Sequence, residues 1–315
     1  MDNVKREGEI LHQLLNSPAM NGVWNGKPFS KTYRPYANTT LKYLAGERKD
    51  YINPDYKDID ITYTFDENGY RKYPNYKPTS SKKVFTYGCS MTFGFSQPEE
   101  HTWPLLLANK LGNWQLSNYG TPGTGADEIA RICYQSITSL SKEEYPDAVF
   151  VYLPDIFRTE YIGNQNKHIE HYAINLVSHK YPTLQSIKEA VLRETDSFKK
   201  SILHKAQLYY EYTNAIDSFL TTVNSFKLIK ETLDSRNIPW FWHTWGHVFF
   251  PLKKNVITKF LGDNTLFEED NLKILYYENS RGRDGSHMGL KYADSLAELF
   301  LDLYKNYEKP NKQNS

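Results

Sequence analysis

Two short stretches hold the residue types that could act on one another chemically. The first is Lys83 to Gly94, KVFTYGCSMTFG, in which Val84 to Tyr87 form a run of β-branched and aromatic residues long enough for one buried strand. Gly88 breaks the run, and a helical pattern follows from Glu99 to Leu111. Ser90 therefore stands in the turn between a strand's carboxyl end and a helix. Open α/β sheets bind ligands there, and free N–H groups can stabilise a developing negative charge. The second stretch is Arg283 to Gly289, RDGSHMG, ahead of an amphipathic helix from about Leu290 to Tyr304. A histidine can take a serine proton on one ring nitrogen while a carboxylate holds the other in the correct tautomer. In a turn, Asp284 is spaced to orient His287 in that way. The simpler alternatives are a helix-capping serine and an Asp turn with a capping histidine.

The elements that must bring these residues together alternate along the chain. Trp114 to Ser117 predicts a second strand, ending in the glycine-rich turn Asn118 to Gly125, NYGTPGTG. A helix from Ala126 to about Ser139 follows, with Ile129, Ile132, Cys133 and Ile137 at helical spacing. Ala148 to Leu153 has the near-continuous apolar character of a buried parallel strand. Tyr161 to Lys200 shows no clear element before a helical stretch from Thr183 to Thr195. Ser201 to Ser235 reads as a long helix broken near Asn214 or Asn224. Trp240 to Trp245 predicts a fourth strand, with Trp240, Trp242 and Thr244 on one face and Phe241, His243 and Trp245 on the other. Lys273 to Tyr277 predicts a fifth. Strands alternating with helices imply a parallel sheet with helices on both faces, a flavodoxin-like three-layer α/β/α fold of five strands.

Residues 1 to 80 read as an extension packed on this core, which spans 81 to 308 with an insertion at about 159 to 200 and a solvated tail at 309 to 315. Within the extension, Lys5 to Leu15 could form a short helix. Ile59 to Phe65 alternates as a strand, and Asp66-Glu67-Asn68-Gly69 is a strong turn signal. Arg71, just beyond, could reach the cleft, but a structural or surface role is the expectation.

The formal charge is +1, with no basic tract, so electrostatics favour neither a nucleic acid nor an anionic membrane. No run has the length of a signal-peptide core or a bilayer span, and a soluble protein is expected. The two cysteines, Cys89 and Cys133, suggest no disulfide framework or zinc spacing, and both are expected to pack. His243 and His247 could pair on a metal, but no acidic partner is near in sequence, and neither metal nor cofactor is expected. The 25 tyrosines suit a carbohydrate or protein surface, although the same bias can arise from gene composition.

Gly88-Cys89-Ser90-Met91-Thr92-Phe93-Gly94 resembles the first block of the SGNH (GDSL-like) hydrolase superfamily, with Gly-Cys-Ser where the family has Gly-Asp-Ser. It differs from the α/β-hydrolase elbow, which needs a glycine where Thr92 stands. Thr102 to Leu106 resembles the helix after that block, and Phe65 to Arg71, FDENGYR, resembles a segment that precedes it in some members. The turn Asn118 to Gly125 resembles the second block and Asp284-x-x-His287 the last. The resemblance implies a serine ester hydrolase in which Ser90 is the nucleophile, His287 the base and Asp284 its orienter. The N–H groups of Ser90 and Gly123 would bind the oxyanion, with Gly120 the alternate glycine. The third block departs from the pattern. Its asparagine donor is absent from Leu153-Pro154-Asp155-Ile156-Phe157-Arg158, and losing such a donor costs about a hundredfold in rate. Arg158 is the natural substitute, unless it simply pairs with Asp155 or Glu160. Asn118, Gly120, Asp155 and His243 are expected to line the substrate site. By analogy with the family the substrate would be a small or glycan-borne ester, such as O-acetyl. The same fold also accommodates an acyltransferase, or a binding module that has lost turnover.

Overall fold

The computed structural model describes residues 29–33, 61–66, 68–154, 158–165, 168–173, 183–195, 197–212, 215–244, 282 and 287–313. Its centre is a parallel sheet of β4 (Lys83–Gly88), β5 (Gln115–Gly120), β6 (Ala148–Leu153) and β9 (Trp240–Thr244), in the order β5-β4-β6-β9. Four of the five expected strands are thus in place; the fifth, at 273–277, lies outside the described residues. Pairing aligns Gly88 with both Gly120 and Tyr152, and Tyr152 with His243. The carboxyl ends therefore form one rim, and the turns leaving it open side by side.

Side chains on these strands alternate between two cores, as a pleated sheet covered on both faces requires. Val84, Ala148, Phe150, Tyr152 and Phe241 face the helices α2 (Trp103–Lys110) and α7 (Leu290–Gln313), packing with Trp103, Leu107, Leu296 and Phe300. Phe85, Tyr87, Val149, Val151 and Trp242 face α3 (Ala126–Thr138) and α6 (Ala215–Asp234), packing with Ile129, Cys133, Phe226 and Ile229. Each fully buried Val, Leu, Ile or Phe among them contributes about 1.5–3 kcal/mol when removed from water. The connection leaving β4 runs over the first face and those leaving β5 and β6 over the second. That reversal opens a crevice at the carboxyl rim.

A second, antiparallel sheet joins β1 (Phe29–Tyr33), β2 (Ile61–Phe65) and β3 (Arg71–Lys72). Between β2 and β3 the carboxylate of Asp66 accepts from the amides of Asn68 (2.9 Å) and Tyr70 (2.8 Å). Gly69 completes the turn at φ 81°, a conformation that costs glycine little. The inward residues Ile61, Tyr63 and Phe65 pack on Phe93 and Phe95, just past the Ser90 turn.

Beyond β6 the structure differs from the sequence expectation. Glu160–Gln165 (β7) and His168–Ala173 (β8) pair as an antiparallel hairpin where no element was expected. Its strand-favouring Tyr161, Ile162, Ile169 and Tyr172 are interspersed with His, Glu, Asn and Gln, so no apolar alternation marks it. The helix α4 (Leu184–Arg193) is capped by Thr183, whose hydroxyl accepts from the Ser186 amide at 3.1 Å. The long helix is two: α5 (Ser197–Tyr212) ends short of Asn214, and α6 begins at Ala215. The expected helix at 5–15 lies outside the described residues. Among the described residues no helix is long and apolar enough to cross a membrane.

Candidate functional site

After Gly88 the chain makes a sharp turn, the four-residue helix α1 (Ser90–Phe93), closed by Gly94 at φ 78°. The Ser90 carbonyl accepts from the amides of Gly94 and Phe95, both at 3.0 Å. Close packing explains the glycines. A Cβ on Gly88 would stand 2.0 Å from Thr92 Oγ1 and 2.7 Å from the Tyr152 carbonyl oxygen; one on Gly94 would stand 2.7 Å from Arg71 Nη1. Ser90 is 7% exposed, and Cys89 beside it is buried with Trp103 and Met91. Cys133 is buried on the opposite face, where burial pushes its thiol far above the usual range. Both cysteines pack, as expected.

The turn after β5 lies directly beneath. A Cβ on Gly120 would stand 2.3 Å from the Phe93 amide nitrogen and 2.6 Å from the Thr92 carbonyl carbon. Asn118 joins the two turns: its Nδ2 donates to the Thr92 carbonyl (2.9 Å) and to the Tyr73 hydroxyl (2.6 Å), and its Oδ1 accepts from the Gly120 amide (2.9 Å) and the Thr86 hydroxyl (3.3 Å). The Thr121 amide donates to the Gly88 carbonyl at 3.0 Å. Gly123 is buried at φ 87°, and among the described residues its amide donates no hydrogen bond, whereas that of Gly120 is already bound to Asn118.

The loop leaving β6 reaches the same turn. A Cβ on Gly125 would stand 2.4 Å from the Arg158 carbonyl oxygen, and Thr159 Oγ1 donates to Asp127 at 2.7 Å. The backbone at Arg158 thus rests on the end of the glycine turn, with its side chain half-buried. Asp155 lies outside the described residues.

His287 arrives from the other end of the chain. Its ring centroid is 4.9 Å from that of Phe95, inclined at 46°, and Phe95 is the residue whose amide binds the Ser90 carbonyl. The His287 carbonyl accepts from the Gly282 amide at 2.8 Å. Gly282 is itself packed on Ser96, whose carbonyl oxygen would stand 3.2 Å from an added Cβ. Met288 next along is buried against α2 and the sheet, anchoring the start of α7. Asp284 lies outside the described residues, and among those described no hydrogen bond joins the Ser90 hydroxyl to His287. His243 is buried at the rim, 6.0 Å from the Tyr152 ring and nearly parallel to it; the Tyr152 hydroxyl shares a 2.7 Å hydrogen bond with Tyr292 on α7. Among the described residues no three of His, Cys, Asp or Glu gather as metal ligands.

Arg71 is the residue whose importance sequence reasoning understated. It is 3% exposed. Its Nη1 donates to the carbonyls of Phe93 (2.9 Å) and Gly94 (2.7 Å), and its Nη2 to that of Gln97 (3.0 Å). The guanidinium lies 4.8 Å from the Tyr63 ring centroid, 5.5 Å from Phe93 and 5.7 Å from Tyr73. Tyr63 and Tyr73 escaped notice too. The Tyr63 hydroxyl accepts from the Ser96 amide at 2.8 Å, and Tyr73 accepts from Asn118 and Thr102. Burial raises the Tyr73 pKa against the opposing pull of Arg71, which keeps the phenol neutral. One signal was present: inward phenols on an alternating strand usually have a polar partner.

No family model matches the chain, and no curated protein does. Among solved structures, the SGNH-hydrolase family esterase AlinE4 is 12% identical over 58% of this chain and 75% of its own, with a TM-score of 0.32. A mutant of that esterase is 11% identical over 73% of this chain and 98% of its own, at 0.37. A member of the lipolytic protein G-D-S-L family from Veillonella parvula is 12% identical over 71% and 99%, at 0.29.

Proposed function

We propose that the chain is a serine ester hydrolase working through Ser90. The observation that carries this reading is the meeting of three distant segments at one rim of a parallel sheet. The Ser90 turn touches the glycine turn after β5 through Phe93 and Gly120, and the segment bearing His287 through Phe95 and Ser96. Phe95, whose amide binds the Ser90 carbonyl, lies against the His287 ring, and hydrogen bonds between a nucleophile and its base are often formed only when substrate is bound.

In this mechanism Ser90 Oγ attacks the ester carbonyl carbon while His287 takes its proton. Asp284 holds the imidazole in the tautomer that leaves the reactive nitrogen free. The amides of Ser90 and Gly123 receive the oxyanion; the Gly123 amide, buried and with no acceptor among the described residues, suits that task better than that of Gly120, which is bound to Asn118. Arg158, carried to the glycine turn by its backbone, replaces the missing third-block donor. Collapse expels the alcohol with the proton from His287, and water, deprotonated by the same histidine, releases the acid. An O-acetyl or other short acyl group on a carbohydrate is the substrate class proposed, by analogy with the family that the motifs resemble.

The test is labelling by a fluorophosphonate. Wild type is expected to label and Ser90→Ala to stay unlabelled; a wild type as silent as the variant would leave a binding module as the better reading. His287→Ala is expected to lower turnover of a small acetyl ester at least about a hundredfold. Added alcohols that divert the acyl group from water would reassign the site to acyl transfer.

A further inference from the structure

We infer that Arg71 is a positioning residue for Ser90: its guanidinium fork, reaching in from the N-terminal hairpin, fixes the loop from Ser90 to Gln97. The kinetic part of this inference rests on the proposed role of Ser90; the structural part stands on geometry alone.

Within the loop the Ser90 carbonyl binds the amides of Gly94 and Phe95, and the Gln97 amide reaches the Gly94 carbonyl at 3.3 Å. After one turn of helix the loop passes through two left-handed residues, Gly94 at φ 78° and Ser96 at φ 63°. The second is unfavourable for a residue with a Cβ. Arg71 binds the carbonyls of Phe93, Gly94 and Gln97 together, so one side chain ties both ends of this bend. Among the described residues it forms no ion pair; its charge is met by carbonyl dipoles and by the faces of Tyr63, Phe93 and Tyr73. The fork matters as much as the charge, because a guanidinium presents planar, rigidly spaced donors where an ammonium presents a point. Gly94 fits the same logic, since a Cβ there would invade the space that Nη1 occupies. Tyr63 adds a second tie through its hydroxyl to the Ser96 amide. Phe95 and Ser96, at the centre of the loop so held, are the residues against which His287 and Gly282 rest. Arg71 thereby sets the seat of the base as well as that of the nucleophile.

Three variants test this: Arg71→Lys, Arg71→Met and Tyr63→Phe. For each, kcat and KM on a small acetyl ester are measured beside amide hydrogen exchange over residues 90–97. Both Arg71 variants are expected to lose on the order of a hundredfold in kcat, as small misplacements of a reacting group do, with KM little changed. The amides of Gly94 and Phe95 should exchange at least about tenfold faster while those of β6 keep their rates. Arg71→Lys turning over like wild type would overturn the inference, since charge alone would then suffice. If neither Arg71 variant folds, Tyr63→Phe carries the test. A several-fold lower kcat at constant KM with faster exchange supports the inference, and wild-type values in both overturn it. If wild type proves unreactive at Ser90, the esterase reading fails by itself. The exchange rates then decide: faster exchange around Gly94 supports the fixing role, and unchanged exchange overturns it.

Discussion

The turns after β4 and β5 leave adjacent strands at the same rim, yet they are held in opposite ways. The first is braced from outside: Arg71 and Tyr63 reach in from the hairpin, and Asn118 reaches up from the neighbouring strand. The second is shaped largely by what is missing, since the bare backbones of Gly120 and Gly125 let Phe93 and Arg158 approach. The contrast teaches a division of labour. The Ser90 turn, buried and closed on itself by a few backbone bonds, is tied down by side chains from other segments. The glycine turn is fixed instead by close backbone contact.

The comparison can be broken most directly with one substitution made in both turns. Gly120→Ala would drive a methyl to 2.3 Å from the Phe93 nitrogen. Backbone cannot retreat there without moving Ser90, so a loss of about 3 kcal/mol or more is expected. Gly94→Ala would combine strain at φ 78° with a methyl 2.2 Å from Thr102 Cγ2 and 2.7 Å from Arg71 Nη1, and a loss of similar size is expected. Denaturant unfolding measures both, and neither variant should label with a fluorophosphonate. If Gly120→Ala keeps wild-type stability and labelling, the two turns are not in contact as described.

Asn118→Ala cuts the strut between the turns. The Thr92 carbonyl and the Gly120 amide would lose their side-chain partner in a buried place, and the Tyr73 hydroxyl would keep only Thr102 among the described residues. About 2–3 kcal/mol is the expected loss, set by unsatisfied polar groups rather than lost area. Labelling should slow in parallel, and normal labelling at reduced stability would make Asn118 a purely structural residue.

How much of this was legible from sequence follows from the kind of force at work. The strand at Ala148–Leu153 matches its predicted limits because both faces are covered and every residue is apolar. The strand expected at Trp114 to Ser117 in fact runs from Gln115 to Gly120. Pairing to β4 carries it through Asn118 and Gly120, residues that by themselves signal a turn. The roles proposed for Ser90, Gly123 and His287 rest on local motifs, which report a turn's conformation well. Arg71 was legible only as a cation after a hairpin, because its partners are main-chain carbonyls, and a carbonyl carries no trace of its partner in the residue type. The hairpin at Glu160–Gln165 and His168–Ala173 was hidden because cross-strand pairs such as Tyr161 with Tyr172 become visible only when the register is known.

Gly123→Ala probes the flat turn more gently. The residue sits at φ 87°, so a Cβ brings strain of about 1–2 kcal/mol, but alanine keeps the amide proposed to meet the oxyanion. Stability should fall by that amount, while labelling at saturating probe falls less than about tenfold. A complete loss of labelling would mean that the turn's shape, and not only its N–H, is part of the site.

The smallest effect separates bracing from backbone preference. Ser96 is left-handed at φ 63°, and its amide donates to the Tyr63 hydroxyl. Ser96→Gly relieves the steric cost of that conformation and adds a comparable entropic cost in the unfolded chain. It leaves the amide, and therefore the tie to Tyr63, untouched. If the loop is held by its braces, stability should change by less than about 0.5 kcal/mol and labelling hardly at all, because neither brace is altered. If the loop is instead held by its own restricted dihedral angles, glycine should loosen it. Exchange at Phe95 and Gln97 would then rise and labelling would fall, and the division of labour between the two turns would be refuted by a substitution that touches neither Arg71 nor Tyr63.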